Sequence, residues 1–265
     1  MDLELSGRRA LVTGASRGIG KAIALALAQE GCDVVVTARG GDALRETSAE
    51  LAAATGSHVV PVIADTSSAG SIVDMVAEAN AALGGIDILV NNAARPGGTQ
   101  PPPKLAGITA EDFWEDMNVK VLGYLRCAQA VVPHMIEQKW GRIISISGLA
   151  ARSTGSAVGS MRNVAVAAMT KNLADELGSQ GINVTVVHPG LTRTEASAPR
   201  LAKIAEEHGI TADEAESFMG RNSIGRMVDA SEVASVVAFL ASPRSVAING
   251  DAIAVGGGAS GSIFY

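Results

Sequence analysis

The residues with the plainest capacity for chemistry are Thr13-Gly14-Ala15-Ser16-Arg17-Gly18-Ile19-Gly20. They follow an apolar run, Ala10-Leu11-Val12, and lead into a segment where Ile19, Ile23 and Leu27 share one helical face. Strand, glycine-rich turn and helix in succession make a cradle for phosphate. Glycine permits the tight turn and the close approach of backbone, and free N–H groups at the positive end of the helix hold the anion. A turn that needs glycine only for its backbone angles would read the same way, and the spacing departs from G-x-G-x-x-G. What surrounds the turn decides between the two.

Val- and Ile-rich runs recur along the chain, each followed by a helical pattern. They cover Ala10–Thr13, Asp33–Thr37, His58–Ala64, Ile86–Asn91, Arg142–Ser147, Asn183–His188 and Ala252–Val255. Apolar on both faces, they read as buried parallel strands. Helical periodicity fills Asp42–Ala54, Ser71–Leu83, Glu111–Gln138, Asn163–Gly178 and Ser231–Leu240. This alternation implies right-handed crossovers and an open, doubly wound α/β sheet of about seven strands with helices on both faces. Ligands in such sheets bind at the carboxyl ends of the strands. The glycine turn, Asp65, Asn91 and His188-Pro189-Gly190 gather on that edge. No linker or repeat divides residues 1–265, which read as one dinucleotide-binding domain. Two segments read as loops over the cleft: Arg95–Gly107, rich in Pro and Gly, and Leu191–Arg226, partly helical around Leu201–Glu207, which is the expected substrate lid.

Composition narrows the partners. At 265 residues and 47% hydrophobic, the chain can bury a large core. A net charge of −6 gives no electrostatic reason to expect nucleic acid or an anionic membrane. Cys32 and Cys127 match no metal or redox spacing and read as core thiols of a reducing, cytoplasmic setting. No metal site, secretory signal or membrane-spanning run is expected.

With these elements in place the chain resembles the short-chain dehydrogenase/reductase family along nearly its whole length. The first turn is similar to that family's T-G-x-x-x-G-x-G, and Asn91-Asn92-Ala93-Ala94 to its N-N-A-G. Asn118 in Met117-Asn118-Val119 resembles the asparagine of its long fourth helix. Pro189-Gly190 with Thr194 resembles its P-G-x-x-x-T, and Ile224-Gly225-Arg226 and Asn249-Gly250 its closing segments. The resemblance implies an oxidoreductase of carbonyl or alcohol substrates, assembled as a homodimer or homotetramer through its two longest helices. It places the nicotinamide cofactor on Gly14, Ser16, Arg17, Gly18, Ile19, Gly20, Asp65, Asn91, Ala93, Pro189, Gly190 and Thr194.

Charge refines the cofactor. Folds that prefer NAD place an acid about 20 residues past the glycines, on the ribose 2′-hydroxyl. Here the second strand ends Val36-Thr37-Ala38-Arg39. Arg39, with Arg17 inside the turn, suits a 2′-phosphate, so NADP(H) is expected; two solvated surface arginines are the alternative. Asp65 could equally be a helix N-cap.

The catalytic stretch departs from the family. Its chemistry uses a Ser, a Tyr four residues before a Lys, and the helical Asn, the phenol being tuned toward working pH by the lysine. Tyr124 and Tyr265 are the only tyrosines of this chain. Counting forward from Gly141, the family serine falls on Gly148, with Ser147 one place earlier. Counting back from Thr170-Lys171, the lysine falls on Asn163 and the tyrosine on Gly159. Asn118 and Ser147 therefore remain as catalytic candidates, with Asn163 left to hold the ribose. Ser156, Ser160, Arg162 and His188 are further candidates for the missing proton donor, and Tyr265 could reach a neighbouring subunit's cleft. Three outcomes stay open: redox chemistry by a non-standard acid/base arrangement, a catalytically inactive NADP(H)-binding sensor or partner subunit, or a different reaction in the same pocket.

Overall fold

The structure, a computed structural model, describes residues 1–95, 102–219 and 222–259. Its first half alternates strictly: β1 (Arg9–Thr13), α1 (Gly18–Gln29), β2 (Asp33–Ala38), α2 (Gly41–Thr55), β3 (Val59–Ile63), α3 (Ala69–Leu83) and β4 (Ile88–Asn91). Then come α4 (Ala110–Met117), a π turn (Asn118–Leu122), α5 (Gly123–Gln138), β5 (Gly141–Ile146), α6 (Ala157–Leu177) and β6 (Ile182–Pro189). The last part holds β7 (Thr192–Arg193), α7 (Ser197–His208), α8 (Ala212–Met219), β8 (Val228–Asp229), α9 (Ala230–Ala241) and β9 (Ala252–Val255). Seven strands form one parallel sheet in the order β3-β2-β1-β4-β5-β6-β9, and β7 pairs with β8 beside it.

Alternation along the strands separates two cores. Ala10 and Val12 of β1, with Val34, Val36, Ile88 and Val90, face α1 and α9 through Ile23, Leu27, Val233 and Val237. Leu11, Val35, Leu89 and Ile143 face the other way, onto Ile72 and Met75 of α3 and Val131 and Met135 of α5. Both faces are covered, which is why these strands read as continuous apolar runs. Each fully buried aliphatic of this kind contributes roughly 1.5–3 kcal/mol.

The order of strands fixes where a ligand can sit. The chain winds outward from β1 to β3, then returns to β4 on the other side of β1. The crevice therefore opens above the carboxyl ends of β1 and β4, the switch point of a doubly wound sheet.

Three elements differ from expectation. The helix expected over Glu111–Gln138 is broken at Asn118–Leu122 by the π turn, whose extra residue re-aims the side chains there. The helix expected from Asn163 starts at Ala157, because the Ser156 hydroxyl accepts the Gly159 N–H (3.1 Å) and caps it. The cap places Gly159 and Asn163 on one helix. The segment after β6 holds two helices, α7 and α8, rather than the single short one expected.

Candidate functional site

The glycine turn between β1 and α1 is braced from β4. Gly14 and Gly18 have φ of +65° and +61°, the left-handed region that favours glycine. A Cβ on Gly14 would lie 2.8 Å from the Ala93 Cα, so the two strand ends could not approach as they do. Thr13 Oγ1 accepts the N–H groups of Asn92 (2.9 Å) and Ala93 (3.0 Å). The Asn92 amide in turn donates to the carbonyls of Thr13 and Gly14, each at 3.0 Å. Asn92 is thus the residue that props the turn. Sequence reasoning singled out Asn91 instead, whose buried amide donates to the Tyr124 carbonyl of α5 (3.4 Å).

A cavity of about 620 Å³ opens above this turn, within the range of small-molecule sites. Of the expected cofactor residues, Gly14, Ser16, Arg17, Gly18, Ile19, Gly20, Arg39, Asp65, Ala93 and Thr194 line it. Asn91, Asn163, Pro189 and Gly190 do not; Gly190 instead packs on Gly256, where a Cβ would come within 2.7 Å of the Gly256 Cα. Arg17 and Arg39 are exposed, and among the described residues neither is held in a salt bridge. Burial works to raise the Asp65 carboxyl, but the Ser67 N–H (2.9 Å) and hydroxyl (2.8 Å), with the charge of Arg39, hold it below the usual range. The N-cap of α3 is Ser68, not Asp65. This cradle of backbone and two guanidinium groups, its Gly18 N–H donating to the Glu195 carboxylate (2.9 Å), fits a dinucleotide phosphate.

At the far end of the cleft, the catalytic candidates have structural partners. Asn118 donates to the Ser67 carbonyl (3.2 Å) and accepts from Arg126 (2.8 Å). Ser147 Oγ donates to the Asn163 carbonyl (3.2 Å). Ser160 Oγ donates to the Ser153 carbonyl (3.0 Å), and Arg162 Nη1 bonds both carboxylate oxygens of Asp116 at 2.7 Å. His188 is buried; burial, then the charges of Arg152 and Lys120, lower it to about 4, and its Nδ1 accepts the Gly148 N–H (3.3 Å). It is neutral at ordinary pH. Gly148 and Asn163 face each other: a Cβ on Gly148 would meet the Asn163 amide nitrogen at 3.1 Å. Asn163 is 2% exposed, and its Oδ1 has no hydrogen-bond partner among the described residues. Tyr265 lies outside the described residues, as do residues 96–101 of the first expected loop.

The residue that sequence reasoning missed here is Lys120. The π turn carries it inward, its side chain is buried, and its ammonium donates to the Ser147 carbonyl (3.0 Å) above the Tyr124 ring. Burial, then the charge of Arg162, lowers it to about 7, against a smaller upward pull from Asp116. Its sequence neighbourhood, Val119-Lys120-Val121, gives no hint, because the π turn that buries it is not periodic.

A parallel sheet in this order, with a glycine-rich turn leading into α1 and a cavity at the switch point, defines a Rossmann-type nucleotide-binding protein. Comparison with known proteins narrows the class. Residues 14–260 match the family described as enoyl-(acyl carrier protein) reductase. A short-chain reductase protein of Streptomyces niveus is 35% identical over 251 residues, covering 94% of this chain and 92% of its own. A 3-oxoacyl-(acyl-carrier-protein) reductase of Staphylococcus epidermidis is 32% identical over 254 residues, covering 95% and 98%. L-sorbose reductase of Gluconobacter frateurii, solved with NADPH and L-sorbose, superposes with a TM-score of 0.92 at 28% identity, over 99% of this chain and 100% of its own. The chain belongs to the short-chain dehydrogenase/reductase family of oxidoreductases. No helix among the described residues is long and apolar enough to cross a membrane, and among them no cluster of His, Cys, Asp and Glu could hold a metal.

Proposed function

We propose that the chain is an NADP(H)-dependent oxidoreductase that interconverts a carbonyl and an alcohol by a non-standard acid/base arrangement. The observation that carries the cofactor preference is the end of β2, where Arg39, in place of an acid for the ribose 2′-hydroxyl, lines the same cavity as Arg17. NADPH in the sorbose reductase and NADP in a short-chain dehydrogenase of Burkholderia cenocepacia support the same reading. The bound nicotinamide would supply or accept the hydride. The chain's own part is to bind and orient. The N–H groups at the start of α1 hold the pyrophosphate, Arg17 and Arg39 grip the 2′-phosphate, and Asp65 reaches the adenine.

Arg39→Ala is expected to weaken NADPH binding about tenfold while leaving NADH little changed. One charge-assisted bond contributes about 1.5–3 kcal/mol, and solvent at this exposed side chain brings the effect to the lower end. Titration of both nucleotides against both proteins checks it; equal wild-type affinities would remove the preference.

The substrate site we place in a second cavity of about 540 Å³, between Pro103, Leu105 and Ile108 ahead of α4 and the hydroxyls of Ser153, Thr154 and Ser160. The lid we assign to the segment that begins at Leu191, whose Thr194 lines the nucleotide cavity. Assembly as a dimer or tetramer is supported by Trp114 on α4 and Met161 and Val164 on α6, apolar side chains 63%, 48% and 49% exposed.

The glycine at 159 and asparagine at 163 favour a second reading, an NADP(H)-binding sensor or partner subunit without turnover. Gly159→Tyr with Asn163→Lys separates the two. At position 159 the new Cβ meets the Ser156 side chain, its hydroxyl at 2.8 Å and its Cβ at 3.2 Å, so the cap of α6 must shift and the double variant's folding is checked by its melting temperature. A gain of NADPH-dependent carbonyl reduction over an inert wild type supports the sensor. Measurable wild-type turnover across a carbonyl panel supports the enzyme.

A further inference from the structure

Helix α1 starts without a cap of its own. Its N-cap residue is Arg17, in extended backbone and with no side-chain cap bond, and its first turn holds no acidic residue. The anion that this terminus calls for comes from a distant part of the chain. Glu195 Oε2 accepts the Gly18 N–H at 2.9 Å, across 177 residues of sequence. Gly18 is the first residue of the helix and lines the nucleotide cavity.

Glu195 is held there from both sides. On one side Arg193 is ion-paired with Asp229 (2.6 Å) and Glu216. On the other, the buried Ser197 closes a turn onto Thr194, its hydroxyl accepting the Thr194 N–H and its own N–H donating to the Thr194 carbonyl, both at 2.9 Å. The carboxylate itself is exposed, free to leave when another anion arrives.

We propose that Glu195 is an anionic place-holder for the dinucleotide's pyrophosphate, so that nucleotide entry and release of the lid from the glycine turn are one exchange. This rests on the cofactor reading given above. A phosphate oxygen and the Glu195 carboxylate compete for one N–H group and repel each other, so one must leave before the other binds. The same contact, re-formed, assists release of the spent nucleotide.

The test compares wild type, Glu195→Gln and Glu195→Ala. NADPH should bind both variants roughly tenfold more tightly than the wild type, by fluorescence titration. Adenosine 2′-monophosphate carries the 2′-phosphate but no pyrophosphate, and its affinity should stay within about twofold. Free of nucleotide, the Gly18 amide of Glu195→Ala should exchange with solvent several-fold faster than in the wild type. Equal NADPH affinities would overturn the place-holder while leaving the cofactor reading intact. Equal tightening of both probes would also overturn it, in favour of a general change in surface charge. Failure of all three proteins to bind NADPH would remove the cofactor reading and this inference with it.

Discussion

Gly20→Ala is expected to cost roughly 2–4 kcal/mol of stability and to lower NADPH affinity by two orders of magnitude or more. The added methyl would overlap the Gly14 carbonyl oxygen and come within 2.5 Å of the Asn92 amide and 3.0 Å of the Ala15 Cα. None of these can move alone. The Gly14 carbonyl and the Asn92 amide are bonded to each other, and through that bond β1 is fastened to the end of β4. Overpacking of this kind costs about 1–3 kcal/mol, and each strained hydrogen bond adds about 0.5–1.5 kcal/mol. Relief comes only by pushing the glycine turn off β4, which spoils the row of N–H groups that face the cavity. Gly70→Ala is the control. Nothing lies within 4 Å of a Cβ there, and it sits exposed in α3 away from the cavity, so binding should be unchanged and stability should not fall. Thermal unfolding with NADPH titration checks both. A Gly20→Ala protein that melts and binds like wild type would refute the tight packing of this turn.

That turn was legible because its signal is local. Strand, glycine and helical face stand next to one another in the sequence, and the strands between them are apolar on both faces because helices cover both sides of the sheet. The sheet and the position of its crevice follow from the same alternation. What escaped reading depends on contacts between distant segments. Asn92 and Asn91 are equivalent as letters; only the register of β4 against β1 decides that one props the turn while the other bonds to α5. The early start of α6 rests on one serine hydroxyl capping a stretch that contains Gly155 and Gly159. Glu195 is a charged letter in a lid segment, and nothing local says that it reaches Gly18. The partners of Asn118 and Ser147 are of the same kind, since both are engaged by chain far away in sequence. Lys120 is the extreme case. Lysine is read as surface, and a helix drawn straight through Glu111–Gln138 gives no reason to bury it.

Lys120→Met is expected to stabilise the protein at neutral and acidic pH and to destabilise it in alkali. The folded amine titrates at about 7, against an ordinary value of 10.5. Between those two pH values the unfolded chain holds a proton that the folded chain has lost, so the wild type gains stability as pH rises through that window. Below pH 7 both states hold the proton, and the buried charge costs on the order of several kcal/mol. Methionine has a similar length and no charge, so it removes that cost. It also leaves the Ser147 carbonyl without its donor, a loss of about 1–3 kcal/mol. At pH 6–7 the removed cost is larger and the variant melts higher. At pH 10 the wild-type amine is neutral yet still donates to Ser147, and only the loss remains, so the variant melts lower. The groups packed around Lys120 do not blur the crossing. Arg162 and Asp116 are paired, burial pushes the Tyr124 phenol well above its usual range, and His188 is neutral above about 4. Urea unfolding of both proteins at pH 6 and pH 10 gives the answer. A difference of constant sign across that range would mean that Lys120 does not change charge within it, and that its ammonium is held by more than the Ser147 carbonyl.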